Sequence, residues 1–310
     1  GNVPTVAMLH LGADGVSRTT LGYEATETAL SGDGTILAFV TPTDKLVTWD
    51  NNGRPDLFYY ESALERTTYV PTESTPSSPS VSHDGSRIAF VAAGKLYVHQ
   101  TQDLSRALPA QLANAGDAVT SAAISGDGQW IAFASAQDGL VDGDTNGRND
   151  VFRIAAAGGA PERVSRMPLG TDFPAGAEED DCPALSADGR FVAFAAPAAA
   201  GGPRQIWVRD TTLARTECVS VSAAPAVADA DCRAPALSPG GRYVTFCSTA
   251  TNLGDPAGIR QVYRTDLGTG WGQPAPAAPA SGWVDDLADV VVWQWVPGYE
   301  SADAYEISLD

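Results

Sequence analysis

The chain predicts an all-β fold of repeated four-stranded antiparallel sheets, and three observations carry that expectation. A Ser-x-Asp-Gly turn followed by a short apolar strand with a central Phe recurs at intervals of roughly 40–60 residues, the mark of a repeat array rather than of separate domains. Helical periodicity is absent, and the apolar strands carry large residues on both faces, as strands sandwiched between two neighbouring sheets must. Gly 31 and Pro 21 in 310 residues supply many turns.

The copies can be placed in order. Segments 6–11 and 16–21 read as strands that precede the first complete unit and close the ring, so that 5–21 belongs to the last sheet. The turns and strands then run Ser31-Gly-Asp33-Gly34 with Ile36 to Phe39, Ser82-His-Asp84-Gly85 with Ile88 to Phe90, and Ser125-Gly-Asp127-Gly128 with Trp130 to Phe133. Ser186-Ala-Asp188-Gly189 with Phe191 to Phe194, and Ser238-Pro-Gly240-Gly241 with Tyr243 to Phe246, complete the regular copies. Each unit adds an aromatic second strand, as at Leu57 to Tyr60, Leu96 to Val98, Val151-Phe152, Ile206 to Val208 and Val262-Tyr263, and a closing strand such as 162–165. A sixth, eroded unit is expected at 290–295 and 304–309. Sheets repeated radially in this way form a β-propeller. The expectation is one domain over 1–310: six four-stranded blades starting near 27, 79, 121, 183, 235 and 283, the last closed by the N-terminal strands.

The pattern S-x-D-G-x-x-I-A-F, a turn and a further strand resembles the PD40 repeats of TolB-like β-propellers over nearly the whole chain. The D-T-N-G-x-x-D-V-F variant resembles that of secreted bacterial propellers of this group. The resemblance implies a fold. Propellers of this kind serve as scaffolds, binding modules and, less often, enzymes, so it leaves function open.

The most distinctive local motif is Asp142-Gly-Asp144-Thr-Asn146-Gly147-Arg148-Asn149-Asp150, which spells D-x-D-x-N-G-x-x-D. Asp142, Asp144, Asn146, the Arg148 carbonyl and Asp150 offer the oxygen donors a hard cation takes, and Gly147 the sharp turn. Position 12 is Arg153 where an EF-hand needs a bidentate Glu, and the following residues alternate like a strand, so the motif resembles the shorter calcium loops between propeller strands. The alternative is an Asp/Asn/Gly-rich hairpin turn without an ion. Three carboxylates within nine residues repel one another unless a cation neutralises them, which favours Ca2+. A second loop, Thr48, Asp50, Asn52, Gly53 and Asp56, has Thr for the first Asp and is expected to bind Ca2+ more weakly. In the fifth unit Asp255, Gly258 and Gln261 keep the register while Ala257 replaces the Asn, too few ligands for a site.

Acids outnumber bases 38 to 19, a formal charge of -19 that excludes nucleic acid and anionic membranes as natural partners. No run of eighteen apolar residues exists, and no charged-then-apolar signal segment opens the chain, so direct membrane insertion is not expected. Connections between blades, on the face of the metal loops, carry Glu24, Glu27, Glu73, Asp117, Glu178, Glu179, Asp180, Asp181, Asp229, Asp231, Asp285 and Asp286. They read either as an acidic channel mouth for cationic partners or as the solvated loops of an acidic protein.

Cys182, Cys218, Cys232 and Cys247 fall within two neighbouring units, which suggests disulfides, with Cys182 and Cys232 near one another at the axis; burial as thiols is the alternative. Motifs of catalysis are mostly missing, and of the three His (His10, His83, His99) His83 in its turn and His99 at a strand end read as solvated side chains. Trp271 and Tyr299, in turn-like stretches, could stack on a sugar. The sequence therefore points to a non-catalytic propeller braced by calcium, bacterial and extracellular, periplasmic or cell-surface, that binds another protein or an envelope assembly. A polysaccharide-active enzyme or lectin using the acidic mouth is the alternative.

Overall fold

The computed structural model describes residues 25–268, apart from 45, 48–51, 105–106, 169, 175–181, 223–225 and 255–257. Five consecutive antiparallel sheets fill this stretch. Blade 1 holds β1 (Glu27–Leu30), β2 (Ile36–Thr41), β3 (Asp56–Glu61) and β4 (Arg66–Val70). Blade 2 holds β5 (Pro76–Val81), β6 (Arg87–Ala92), β7 (Lys95–Gln100) and β8 (Ala110–Gln111), followed by a single 3₁₀ turn at Ala113–Ala115. Blade 3 holds β9 (Val119–Ile124), β10 (Trp130–Ser135), β11 (Asp150–Ala155) and β12 (Glu162–Arg163). Blade 4 holds β13 (Ala184–Leu185), β14 (Phe191–Pro197), β15 (Arg204–Asp210) and β16 (Arg215–Cys218), and blade 5 holds β17 (Cys232–Leu237), β18 (Tyr243–Ser248) and β19 (Gln261–Asp266). Within every sheet sequence order is spatial order, and the first strands of successive sheets lie beside one another, so the described blades form an arc of a propeller. The expected sixth blade and the N-terminal closing strands fall outside the described residues, as do His10, Trp271 and Tyr299.

The two-sided apolar strands find their reason between the blades. Ile88, Phe90 and Ala92 of β6 pack toward blade 1 with Ile36, Ala38, Leu57 and Tyr59, whereas Ala89 and Val91 of the same strand pack toward blade 3 with Ile131 and Phe133. Alternate residues of one strand thus serve two cores. The recurring central Phe has a further partner in its own sheet. Register places Phe39 opposite Phe58, Phe90 opposite Tyr97, Phe133 opposite Phe152 and Phe246 opposite Tyr263. These rings stack 5.4 to 5.9 Å apart, the cross-strand aromatic pairing that stabilises a sheet. Truncating any of the buried Phe to Ala would cost about 3–5 kcal/mol.

The Ser-x-Asp-Gly turns form the joints of the arc. Ser31 Oγ donates to Asp33 Oδ1 at 2.6 Å and accepts the Ile36 N–H at 2.9 Å, and the same pair of bonds recurs at Ser82, Ser125 and Ser186. Backbone bonds then pass from turn to turn: Asp33 N to His83 O, His83 N to Gly126 O, Asp127 N to Ala187 O, and Ala187 N to Pro239 O. Pro239 is tolerated because this belt uses only its carbonyl. Gly189 and Gly241, at φ +68 and +72, lie directly against Trp130 and Phe191 of the preceding blade, where any side chain would collide.

Two expectations are corrected here. His99 is not solvated: it is 4% exposed, lies 5.7 Å from the Tyr59 ring, and its Nε2 has no hydrogen-bond partner. Its strand is sandwiched between blades, so burial holds the imidazole below its ordinary 6.5. The cysteines do not form a disulfide framework. Cys182 Sγ donates to Ala122 O of blade 3 at 3.3 Å, while Cys232 is buried in the core between blades 4 and 5 and its thiol is pushed up to about 11 by that burial.

Candidate functional site

The turn from β10 to β11 is built by its Asn and Gly. Gly147 adopts φ +61, and the Asn146 side chain closes the loop on both sides, Oδ1 accepting the Arg148 N–H at 2.9 Å and Nδ2 donating to Asp150 Oδ2 at 2.8 Å. Asp138 Oδ1 accepts the Gly147 N–H at 2.8 Å. Arg148 reaches out of the turn to the carbonyls of Phe173 and Pro174, tying the loop to the connection that leaves β12. Asp142 stands exposed, whereas Asp144 and Asp150 are buried at 2% and 3%.

The group that meets those two carboxylates is a guanidinium. Arg163 on β12 is buried, with Nη1 3.2 Å from Asp144 Oδ1 and 3.4 Å from Asp150 Oδ2, and its Nη2 pairs with Asp172. Ser165 Oγ donates to the other oxygen of Asp150, at 2.5 Å, and accepts the Val151 N–H at 3.0 Å. Antiparallel pairing of β11 with β12 sets Arg163 opposite Phe152, two residues past Asp150, which aims its side chain into the loop. Sequence reading identified the carboxylates but missed Arg163, Ser165, Asp138 and Asp172. The only signal was an Arg in a strand segment facing an acidic turn.

The blade 1 loop repeats this turn. Gly53 has φ +69, the Arg54 N–H is accepted by Asn52 Oδ1 at 2.9 Å, and Asn52 Nδ2 donates to Asp56 Oδ2 at 2.8 Å. Arg54 likewise donates to the carbonyls of Thr72 and Glu73 in the connection leaving β4. Thr48 and Asp50 fall outside the described residues. The register of β3 with β4 puts Tyr69 opposite Phe58, the position Arg163 holds in blade 3. The Tyr69 hydroxyl lies 3.4 Å from Asp56 Oδ1, and the nearest described cationic group to that fully buried carboxylate is Arg54 Nε at 3.9 Å.

The donor set in blade 3 suits a calcium ion in its chemistry. It is all oxygen: the carboxylates of Asp142, Asp144 and Asp150, the Asn146 amide and the Arg148 carbonyl. Burial, then Asp150, push the Asp144 carboxyl above its usual range despite Arg163, with Asp138 adding to the effect. The buried Asn149 Oδ1 beside Asp150 has no partner. In geometry the two buried carboxylates are shared with Arg163, and no group of three or more His, Cys, Asp or Glu is placed to hold a metal among the described residues.

Several carboxylates of the acidic connections have intrachain partners. Asp231 pairs with Arg204 at 2.7 Å and Arg233 at 3.3 Å, and Glu27 accepts the Ser78 N–H at 2.5 Å. Asp229 accepts the Thr251 N–H and hydroxyl at 2.7 and 2.5 Å. Glu73 and Asp117 remain exposed, and Glu24, 178–181, Asp285 and Asp286 lie outside the described residues. The same face carries an apolar feature at blades 4 and 5. Val221 and Val227, 45% and 42% exposed, form an isolated β-bridge in the connection from β16 to β17, and Ile259, 58% exposed, sits just before β19. Asn252 fastens the two segments, Nδ2 donating to Val227 O at 2.8 Å and Oδ1 accepting the Asp229 N–H at 3.1 Å.

No family model matches this chain, and no curated protein sequence matches it. Among solved structures it is similar to TolB from Acinetobacter baumannii, at 18% identity over 78% of this chain and 55% of that one, TM-score 0.48. It is similar too to a putative TolB from Agrobacterium tumefaciens, at 18% identity over 67% and 64%, TM-score 0.46. A chain of a nidogen/laminin complex aligns at 8% identity over 79% and 76%, TM-score 0.47. The chain spans under two thirds of the length of both TolB structures.

Proposed function

We propose that this protein is a non-catalytic propeller that works outside the cytoplasm and binds another protein through the loop face of blades 4 and 5. One observation carries the reading: Val221 and Val227 are exposed aliphatic residues on a connection fastened by Asn252, Thr251 and Asp229, and Ile259 adds a third exposed aliphatic side chain just before β19. Apolar groups held in place before binding lose little conformational entropy on contact. With a formal -19 for the whole chain, the fitting partner presents an aliphatic patch on a basic surface. Ring closure belongs to the same proposal. Blade 1 has, besides the core it shares with blade 2, a second buried cluster of Phe39, Leu46 and Phe58 with Tyr60 and Tyr69, as suits a blade with a neighbour on each side, here a sixth blade drawn from both chain ends.

Calcium bracing is part of the reading. Asp142, Asp144, Asn146, Asp150 and the Arg148 carbonyl would hold one ion, and Thr48, Asp50, Asn52 and Asp56 a weaker one. A bound ion would supply divalent positive charge among carboxylates that otherwise repel, which suits a compartment where calcium is plentiful.

The docking proposal is tested with Val221→Asp combined with Val227→Asp. Both side chains are exposed, so folding stability should change by no more than about 0.5 kcal/mol. A partner identified by co-purification with the wild type from envelope or secreted fractions should no longer be retained by the variant. Equal retention, or no partner for the wild type, overturns the proposal.

A further inference from the structure

We infer that Arg163 is the resident counter-cation of the blade 3 loop and competes with calcium for Asp144 and Asp150; the inference rests on the calcium reading of that loop. Its Nη1 lies within 3.4 Å of one oxygen from each buried carboxylate, and Asp172 holds Nη2. The neighbouring blades show that this guanidinium goes with its acids. In blade 4 the place of Asp150 is taken by Gln205 and that of Arg163 by Cys218, while Ser220 keeps the role of Ser165, its Oγ bonding Gln205 Oε1 at 2.7 Å and accepting the Ile206 N–H at 3.0 Å. In blade 2 the same two places hold Lys95 and Gln111. Acid and guanidinium are present together or absent together in these three blades, and blade 1 alone keeps the acid, Asp56, with a phenol, Tyr69. An arginine that neutralises the pair from within lowers the gain from an added divalent ion, because any ion must approach a fixed positive charge and share its ligands.

The test titrates the full chain with calcium chloride, by isothermal calorimetry and by melting curves with and without chelator. The wild type is compared with Arg163→Gln, with Arg163→Tyr, which installs the blade 1 residue, and with Arg163→Lys, which keeps the charge. Without calcium the first two should melt below the wild type; calcium should restore them, binding tighter than in the wild type by about tenfold or more. Arg163→Lys should behave like the wild type. Unchanged or weaker calcium binding in both neutral variants overturns the inference, as does Arg163→Lys binding as tightly as Arg163→Gln, or neutral variants that stay unfolded in calcium. A silent wild type beside calcium-binding neutral variants would remove native calcium bracing and keep the counter-cation; equal binding by all four would do the reverse.

Discussion

The loops of blade 1 and blade 3 close in the same way and are neutralised differently. Both use an Asn whose amide spans to the Asp that opens the next strand, a Gly with positive φ, and an Arg that reaches the following connection. They part at one register position on the outermost strand, where blade 3 places Arg163 and blade 1 places Tyr69. A turn motif therefore specifies backbone shape, while the charge inside it is decided by a strand thirteen residues further on. Of the two, the loop with more carboxylates in its sequence is the one already supplied with a cation.

The largest test of that difference removes the guanidinium. Arg163→Met leaves Asp144 and Asp150 buried without it and should cost about 3–5 kcal/mol in urea unfolding, whereas Tyr69→Phe in blade 1 should cost about 1 kcal/mol or less. Equal losses would erase the distinction. A smaller effect is expected in pH. Burial and Asp150 raise the Asp144 carboxyl above 3.8, so the folded protein binds this proton more tightly than the unfolded chain. Its share of stability is full below 3.8 and is lost as pH rises through the folded value. Carboxyl carbon shifts by NMR should show Asp144 titrating late; an ordinary value would mean that Arg163 offsets both the burial and the neighbouring carboxylate. The smallest effect clears the background around blade 1. His99, buried beside Tyr59, is held below 6.5, so the unfolded chain takes up the proton first. Stability should fall as pH drops below 6.5 toward the folded value, and His99→Leu should flatten that slope.

Much of the architecture was legible because it repeats. The central Phe marks every described blade and the Ser-x-Asp-Gly turn marks the first four, with Gly240 replacing the Asp in the fifth, and their register pairs the aromatics across the sheet as the alternation implies. Asp142, Asp144, Asn146, Arg148 and Asp150 were legible as one loop because they are contiguous. Arg163, Ser165 and Asp172 were not, since only strand pairing and the connection after β12 bring them there. Cys182 and Cys232 mislead for the same reason: similar places before their strands put them against different neighbours, one at Ala122 and the other in the core between blades 4 and 5.

By itself the sequence determined the blade, its turns and its two apolar faces, because those depend on residue order within about forty positions. Only the tertiary structure decided which charges are already matched, which histidine is buried and which aliphatic residues stand exposed on fastened loops. Burial and ion pairing depend on what the neighbouring strand and blade deliver, and a buried charge takes its character from the group a few ångströms away rather than from its neighbours along the chain.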